Sequence, residues 1–313
     1  MKVGFVPAVH PRQLLSARVI RAFEELGADS LWAPGHIATD RPVPEVMTSL
    51  CWLAAHAEQA IVGSAVLLAP LYHPVIVAKQ LAELDRATGG GRIRLGIGVG
   101  GEYPSEFSAC QVPVAERGPR TDEAITIVKR LWQGGPVDHD GRFWPFEGVA
   151  IEPPPTTSGG PPVVVAGRKE PAMRRAGSLG DGWMPFLFSP EQYASSVERV
   201  RAHATAAGRT LDDDFEWYCF LYVSVDDDGD AARRRAAEFI GARQAGDAAR
   251  FATVIDRVAV AGTPDDVAAR LQAFADAGAR HLVIVPCERE DPIGAARRII
   301  ELVPSQPVAS PAK

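Results

Sequence analysis

Short runs of Val, Ile and Leu alternate along the chain with longer stretches in which apolar residues recur every three or four positions. Continuous apolar runs of this length are typical of buried parallel strands, and the longer spacing is typical of amphipathic helices. Eight such runs predict strands at 2–8, 29–34, 60–68, 93–99, 162–167, 182–187, 216–225 and 281–286. Eight repeated βα units of the α/β class predict a single closed (β/α)₈ TIM barrel rather than an open doubly wound sheet.

The stretches between these strands predict the surrounding helices. We expect them at 13–26, 45–58, 74–88, 117–133, 170–179, 190–207, 228–245, 264–277 and near 292–303. The start of the helix at 264–277 is clearly marked, because Thr263 is a good N-cap residue, Pro264 occupies the first helical position and acidic residues follow.

Two segments interrupt the alternation of strands and helices. Residues 101–116 follow the fourth predicted strand, and residues 134–161 precede the fifth. Long connections in compact domains are usually functional or disordered. We therefore expect two insertions into one barrel domain, which covers residues 1–304, and a disordered tail at 305–313.

Charge and composition exclude several classes of function. The net charge is −6 and no block of Lys or Arg stands apart from acidic residues, so nucleic acids and anionic membranes are poor candidate partners. Because the start of the chain lacks a long apolar region and a cleavage site, we expect an unprocessed cytoplasmic protein. The four cysteines form no CxxC pair, and we expect no metal. The segment Val137–Phe143, which contains two Asp and one His, predicts a turn beside a short strand instead of a metal site.

The carboxyl ends of the strands form the active-site mouth of a (β/α)₈ barrel. His36 stands just past the second predicted strand, and we take it as the catalytic candidate, with a structural histidine as the alternative. Glu102, just past the fourth strand, is the nearest acid that could exchange a proton there. His10 and His73 occupy equivalent places after the first and third strands.

The fourth strand leads into a glycine-rich segment that matches the GxGxxG pattern at Gly96, Gly98 and Gly101. A dinucleotide fold is disfavoured because the glycines lie inside and just past a strand, and because Pro104 follows where a helix would have to begin. The missing side chains would instead let a flat ring lie close to the backbone at the mouth.

A second glycine turn joins the fifth predicted strand to the next helix through Gly167, Arg168 and Lys169. The free N–H groups of a helix N-terminus attract anions, and the two cationic side chains would strengthen a phosphate site. The alternative is an ordinary turn with solvated charges.

The segments near the mouth also supply a set of aromatic residues. These side chains either line a hydrophobic substrate pocket or pack the loops together. They are Tyr103, Phe107, Trp144, Phe146, Phe186 and Phe188.

Several motifs taken together resemble the luciferase-like monooxygenase superfamily of flavin- and deazaflavin-dependent oxidoreductases. They occur in order between Ala28 and Trp183, as ADSLWAPGHI, VGSAVLLAPLYHP, LGIGVGGEYPSEF, ERGPRTDEAITIVKRLW, GRFWPFEG and VVVAGRKEPAMRRAGSLGDGW. The resemblance implies a (β/α)₈ barrel that is usually a homodimer and carries an isoalloxazine or deazaflavin ring across its carboxyl-terminal mouth.

The resemblance also implies which residues hold the ring. A non-proline cis peptide after the third strand falls on Ala65-Val66 and supports the back of the ring. The remaining cofactor contacts carry over to a ring or tail segment and a phosphate segment, namely Gly98, Val99, Gly100 and Gly101, and Gly167, Arg168 and Lys169.

Within the superfamily, LGIGVGGEYPSEF and ERGPRTDEA are most similar to the branch that uses the deazaflavin coenzyme F420. In that branch the histidine that ends strand 2 faces the ring near the hydride-transfer carbon and commonly follows an aspartate. Here the pair is Gly35-His36, which departs from that pattern.

Three functions remain open at this point. The first is hydride transfer between F420 and a small organic substrate, with His36 orienting the substrate or relaying a proton. The second is an O₂-using monooxygenase that takes reduced FMN from a partner flavin reductase. The third is a barrel that binds flavin without turnover.

Overall fold

Eight parallel strands close into a barrel in the computed structural model, which describes residues 1–7, 15–40, 42–211, 213–243 and 248–304. The strands in chain order are β1 (Lys2–Phe5), β2 (Ser30–Ala33), β3 (Ile61–Ser64), β4 (Leu67–Leu68), β5 (Ile93–Gly98), β6 (Val137–His139), β7 (Phe146–Val149), β8 (Val163–Ala166), β9 (Gly182–Met184), β10 (Glu216–Val225), β11 (Val260–Gly262) and β12 (His281–Pro286). The barrel runs β1-β2-β3-β5-β8-β9-β10-β12, and β12 pairs in parallel with β1 to close it.

Helices alternate with these strands along the chain. They are α1 (Ala17–Glu25), α2 (Val46–His56), α3 (Pro74–Ala87), α4 (Pro104–Ala109), α5 (Arg117–Trp132), α6 (Glu170–Leu179), α7 (Pro190–Ala206), α8 (Gly229–Arg243), α9 (Ala248–Ala252), α10 (Ile255–Val258), α11 (Pro264–Asp276) and α12 (Pro292–Ile300). Thr263 caps α11 as expected, and its side chain and that of Asp266 form a reciprocal capping box.

The predicted barrel is confirmed, because each of its eight strands lies within one of the eight predicted runs. The predicted helices are also present, and β6 is the short strand expected near residue 137. The sequence did not predict β7, β11, α4, α9 or α10. His10, residues 13–14 and 244–245 of two predicted helices, and the tail at 305–313 lie outside the described residues.

Two expectations about the rim of the barrel were wrong. The run at 60–68 is not one strand, because a cis peptide between Ala65 and Val66 separates β3 from β4, and both parts pair with β5. A helix does begin after the glycine-rich segment, since α4 starts at Pro104. Proline is favourable at the first helical position, where its missing N–H has no intrahelical partner to lose.

The indole ring of Trp32 is fully buried and belongs to a core cluster that also contains Val164, Met184 and Tyr218. Glycines on the neighbouring strands make room for it. A Cβ at Gly63 would overlap the Trp32 ring, and one at Gly4 would lie 3.0 Å from its Nε1 atom. A Cβ at Gly96 would instead overlap the carbonyl oxygen of Ser64, at 1.8 Å. Glycine is therefore needed at position 63 because of the indole ring, at position 4 because of Ser30 and the indole nitrogen, and at position 96 because of the Ser64 backbone.

A chain of buried polar groups continues from the indole towards the amino-terminal end of the barrel. Trp32 Nε1 donates to Ser30 Oγ at 2.7 Å, and this hydroxyl lies 2.7 Å from Nε2 of His281. Burial, and then the positive charges of Lys2 and Arg94, lower the pKa of His281 to about 3. The imidazole is therefore neutral in the folded protein at any pH well above this value.

No helix in the described ranges is long and apolar enough to cross a membrane. Among the same residues, no group of three or more His, Cys, Asp or Glu side chains is placed to hold a metal ion.

The buried imidazole predicts a specific loss of stability in acid. The pKa of His281 falls from an ordinary value of 6.5 to about 3 on folding, so the unfolded chain binds the extra proton first. Stability that is complete above pH 6.5 should be lost as the pH falls towards 3, by up to about 5 kcal/mol. Urea unfolding of the wild type and His281→Gln between pH 7.5 and 4 should show a shallower pH slope in the variant. Parallel slopes would contradict this account.

Candidate active site

The carboxyl end of β2 and the insertion after β5 meet at one side of the barrel mouth. His36 follows β2, and α4 brings Glu106 beside it. The Nδ1 atom of His36 lies 3.0 and 3.2 Å from the two carboxylate oxygens of Glu106. The His36 side chain is 25% exposed, whereas that of Glu106 is 1% exposed. The imidazole thus stands between a buried carboxylate and the solvent side of the mouth.

The same carboxylate holds the backbone that follows His36. Oε1 of Glu106 accepts hydrogen bonds from the backbone N–H of Ile37 at 2.6 Å and of Ala38 at 3.2 Å. A buried carboxylate is unfavourable unless such donors replace water. Tyr103 packs edge-on against the imidazole, with 5.0 Å between the ring centroids. The position of His36 is therefore fixed by both a polar and an aromatic neighbour.

Of the two acids near the mouth, sequence reasoning selected Glu102 and missed Glu106. Glu102 is exposed, and the structure brings Glu106 to His36 instead. Pro104 is the residue in the sequence that could have indicated Glu106. A helix that begins at this proline places Glu106 in its first turn, where a carboxylate is favourable.

The glycine before His36 has a steric explanation. Gly35 is buried against the start of α2, and an added Cβ would overlap the Cβ of Val46 and lie 2.6 Å from its backbone nitrogen. The backbone N–H of His36 donates to the carbonyl oxygen of Pro44 at 3.2 Å, which keeps the loop folded onto this helix. Aspartate therefore does not fit at position 35 in this chain, and Glu106 supplies the carboxylate beside the imidazole.

The cis peptide and the glycine-rich segment lie side by side on the adjacent strands. Leu68 in β4 pairs with Gly98 in β5, and a Cβ at Gly98 would lie 2.6 Å from Cγ2 of Val66. Gly100 and Gly101 have φ angles of +60° and +109°, in the left-handed region that favours glycine. These glycines are thus required by the fold itself.

The cis peptide and the glycine-rich segment form part of the rim of the barrel mouth, and their backbone is partly accessible. The residues that remain half-buried rather than buried are Ala65, Val66, Val99, Gly100 and Gly101. A surface of bare backbone and small side chains fits a flat ring better than it fits a bulky side chain.

The second glycine turn places two cationic residues directly before α6. Gly167 has a φ of +128°, and its carbonyl oxygen accepts a hydrogen bond from Trp183 Nε1 at 2.9 Å. Arg168 and Lys169 are exposed, and Lys169, the N-cap residue of α6, makes no side-chain capping hydrogen bond. Two exposed cationic side chains therefore stand directly before the first turn of α6, which suits a phosphate group.

Two of the six aromatic candidates lie next to site residues. Tyr103 contacts His36, as described, and the Phe186 ring lies 5.3 Å from the guanidinium carbon of Arg168. Both side chains are partly exposed. They are the aromatic residues best placed to contact a bound molecule.

The other four aromatic candidates pack within the protein. Phe107 and Phe188 are buried at 0% and 7% exposure. Trp144 and Phe146 belong to the β6–β7 hairpin, which lies along α5. There Glu123 accepts hydrogen bonds from the backbone N–H groups of residues 143 and 144, each at 3.0 Å. Phe107 and Phe188 are therefore packing residues, whereas the half-buried Trp144 also lies edge-on to His73, the N-cap residue of α3, with 6.3 Å between the ring centroids.

Because Gly35 lies so close to α2, we predict that adding a side chain at this position destabilises the protein. Gly35→Ala should lower the free energy of unfolding by about 1–3 kcal/mol through overpacking, and Gly35→Asp should lower it further. Urea unfolding measures both. The matched control is Gly118→Ala in α5, where the nearest atom to the new Cβ is 3.7 Å away. A Gly35→Ala protein as stable as the wild type would contradict the steric explanation.

The chain is similar to known proteins in both sequence and fold. Among curated proteins, the F420-dependent glucose-6-phosphate dehydrogenase of Microbacterium testaceum is 28% identical over 297 residues, and the alignment covers 87% of each chain. Among solved structures, an F420-dependent secondary alcohol dehydrogenase in complex with an F420-acetone adduct matches with a TM-score of 0.82 at 18% identity, covering 97% of this chain and 99% of that one.

A flavin enzyme shares the same fold. The FMN-bound oxygenating constituent of 3,6-diketocamphane monooxygenase from Pseudomonas putida matches with a TM-score of 0.76 at 19% identity, covering 97% of both chains. The sequence profile described as luciferase-like monooxygenase matches residues 15–281. The chain therefore belongs to the luciferase-like monooxygenase family, as its motifs predicted.

Proposed function

We propose that this protein is an oxidoreductase that uses coenzyme F420 and acts on a small alcohol or carbonyl compound at the mouth of the barrel. The observation that carries the proposal is the imidazole of His36, which is held by Glu106 at the rim beside the cis peptide and the glycine-rich backbone. The F420-dependent dehydrogenases among its relatives support the choice of coenzyme.

Different residues at the barrel mouth would contact the ring and the phosphate of such a coenzyme. Ala65 and Val66 would support the ring, Gly98–Gly101 would contact the ring or the start of its tail, and Gly167–Lys169 would hold the phosphate. A bound deazaflavin supplies a two-electron carrier that gives or takes a hydride, and the protein supplies position and electrostatics.

We propose that side chains of the protein transfer the proton. In alcohol oxidation, His36 would orient the substrate hydroxyl group and accept its proton, and in the reverse direction it would return that proton to the carbonyl oxygen. Glu102 is exposed just past β5, and we propose it as a second group that exchanges protons with solvent at the mouth.

Parallel titrations with F420 and FMN, followed by fluorescence quenching, test the coenzyme. We expect tight binding of F420 and turnover of alcohols or carbonyl compounds without O₂. A preference for FMN together with O₂-dependent turnover would instead favour the monooxygenase that takes reduced FMN from a partner reductase. Binding without any turnover would favour a non-catalytic barrel.

Replacing the imidazole should separate binding from chemistry. We expect His36→Ala to bind F420 within a few fold of the wild type and to lose about 10²–10⁴-fold in turnover, which is the usual contribution of a positioned acid or base. The matched control is His139→Ala, since His139 also pairs with a carboxylate, Glu123 at 3.3 Å, but lies on the outer hairpin. Unchanged turnover in His36→Ala would refute its catalytic role.

We also propose that the protein forms a homodimer through α2. This helix carries no Asp, Glu, Lys or Arg. Its exposed positions form one stripe at helical spacing, consisting of Thr48, Cys51, Trp52 and Ala55. Trp52 is 47% exposed. An uncharged stripe with a large exposed aromatic ring is typical of a surface that is covered by a partner.

The dimer proposal predicts the effect of a charge on this stripe. Trp52→Glu should convert a dimer into a monomer in light scattering after size-exclusion chromatography, because burying the new charge is unfavourable. Ala269→Glu, at an exposed position of α11, should remain dimeric. A monomeric wild type, or a dimeric Trp52→Glu protein, would refute the proposed interface.

A further inference from the structure

We propose that Glu106 is a positioning residue that fixes His36 in one tautomer, with the ring hydrogen on Nδ1 and a bare Nε2 left for the substrate. The inference rests on the proposed function for the use of His36 in catalysis. It goes further by naming the atom that exchanges the proton and the group that controls this atom.

The hydrogen-bond donors around Glu106 determine the tautomer. An ionised carboxylate only accepts hydrogen bonds, and that of Glu106 already receives the backbone N–H groups of Ile37 and Ala38. Nδ1 of His36 lies 3.0 Å from the other carboxylate oxygen. A bare Nδ1 would place a lone pair against this oxygen, so the hydrogen between them belongs to Nδ1. A neutral imidazole then has its lone pair on Nε2.

The folding of two segments far apart in sequence makes this contact. Glu106 is in the third helical position of α4, where Pro104 begins the helix, and Phe107 beside it is fully buried. The packing of this helix delivers the carboxylate to a histidine 70 residues earlier in the chain. Gly35 cannot carry a side chain that would hold the imidazole from its own loop. The insertion after β5 therefore supplies the carboxylate that orients His36, the histidine that follows β2.

The arrangement also balances charge during the proposed reaction. In alcohol oxidation the O–H proton would move to Nε2 of His36 as the C=O bond forms, and the hydride from the broken C–H bond would go to the deazaflavin. The imidazole then becomes a cation whose Nδ1–H remains on Glu106, and the buried carboxylate compensates the new charge. In the reverse direction the same proton returns from Nε2 to the carbonyl oxygen.

The tautomer can be measured directly in the protein without coenzyme. Long-range ¹H–¹⁵N correlation spectra at about pH 9, where ordinary imidazoles are neutral, distinguish a protonated Nδ1 from a protonated Nε2. The spectrum of His36→Ala assigns the His36 signals by their loss. We expect the wild type to show Nδ1–H and a bare Nε2. A wild-type spectrum with the hydrogen on Nε2 would overturn the proposal without the need for any variant at position 106.

Glu106→Gln should reverse this pattern. The amide keeps the size of the side chain and an oxygen for Ile37 and Ala38, but it presents an NH₂ donor to Nδ1 of His36. Nδ1 then becomes the acceptor, and the hydrogen moves to Nε2. A Glu106→Gln spectrum with the wild-type pattern would show that the carboxylate does not control the tautomer.

Kinetics separate positioning from structural support. We expect Glu106→Gln to lose at least about 10-fold in turnover, as expected for a wrong tautomer, with the F420 dissociation constant changed less than about 3-fold. In a His36→Ala background the same substitution should cause no further loss, because Glu106 acts through the imidazole. Additive losses would mean that Glu106 acts independently of His36 and would overturn the proposal.

Glu24 provides the matched control. Its carboxylate accepts the backbone N–H groups of Glu58, Gln59 and Ala60 at the amino-terminal end of the barrel, an arrangement like that of Glu106 but without a histidine. Glu24→Gln should lose stability and keep both turnover and the His36 spectrum. An equal loss of turnover in this control would assign a merely structural role to Glu106. If His36→Ala abolishes turnover while the tautomer prediction fails, only the role of Glu106 is refuted.

Discussion

The packing of one indole ring inside the barrel is the constraint on which the rest of the structure depends. Trp32 packs against Gly63 in β3, where a Cβ would overlap the ring, and Gly4 in β1 leaves room for Ser30 and the indole nitrogen. The ring is also tied to Ser30 by a hydrogen bond of 2.7 Å. Because close packing leaves β2 little freedom to shift, the position of His36, four residues further along, is largely set within the barrel.

Carboxylates from helices then fix the loops at both ends of the barrel. Glu24 binds the N–H groups before β3, Glu123 binds those of the outer hairpin, and Glu106 binds those after His36. Hydrogen bonds to a charged group contribute about 1.5–3 kcal/mol each. Glu106 holds a loop in the same way as the other two carboxylates. Because it also lies beside the partly exposed imidazole of His36, it can influence the chemistry of that ring as well.

The elements with continuous apolar sequences were predictable. The strands β10 and β12 have the predicted bounds, and His36 was found because a polar residue that follows a buried strand lies at the mouth. Glu106 was missed because α4 has only six residues, too few to show helical spacing, and because its contact with His36 spans 70 positions. The strand β11 has three residues and no distinguishing run.

The resemblance to a family added what the residue pattern alone did not contain. The cis peptide at Ala65-Val66 was expected only from that resemblance, and the structure has it at this position. The family pattern did not predict the consequence of Gly35, because the overlap with Val46 depends on how closely the loop approaches α2. Local contacts of this kind are set by the folded chain and leave no regular pattern in the sequence.

A crystal structure of the complex with F420 and an alcohol or ketone would test the central claim most directly. The account predicts a deazaflavin ring against Ala65-Val66 and the Gly98–Gly101 backbone, a phosphate at Arg168 and Lys169, and the substrate oxygen in hydrogen-bond contact with Nε2 of His36. A ring bound elsewhere, or a substrate whose oxygen does not contact the imidazole, would contradict it.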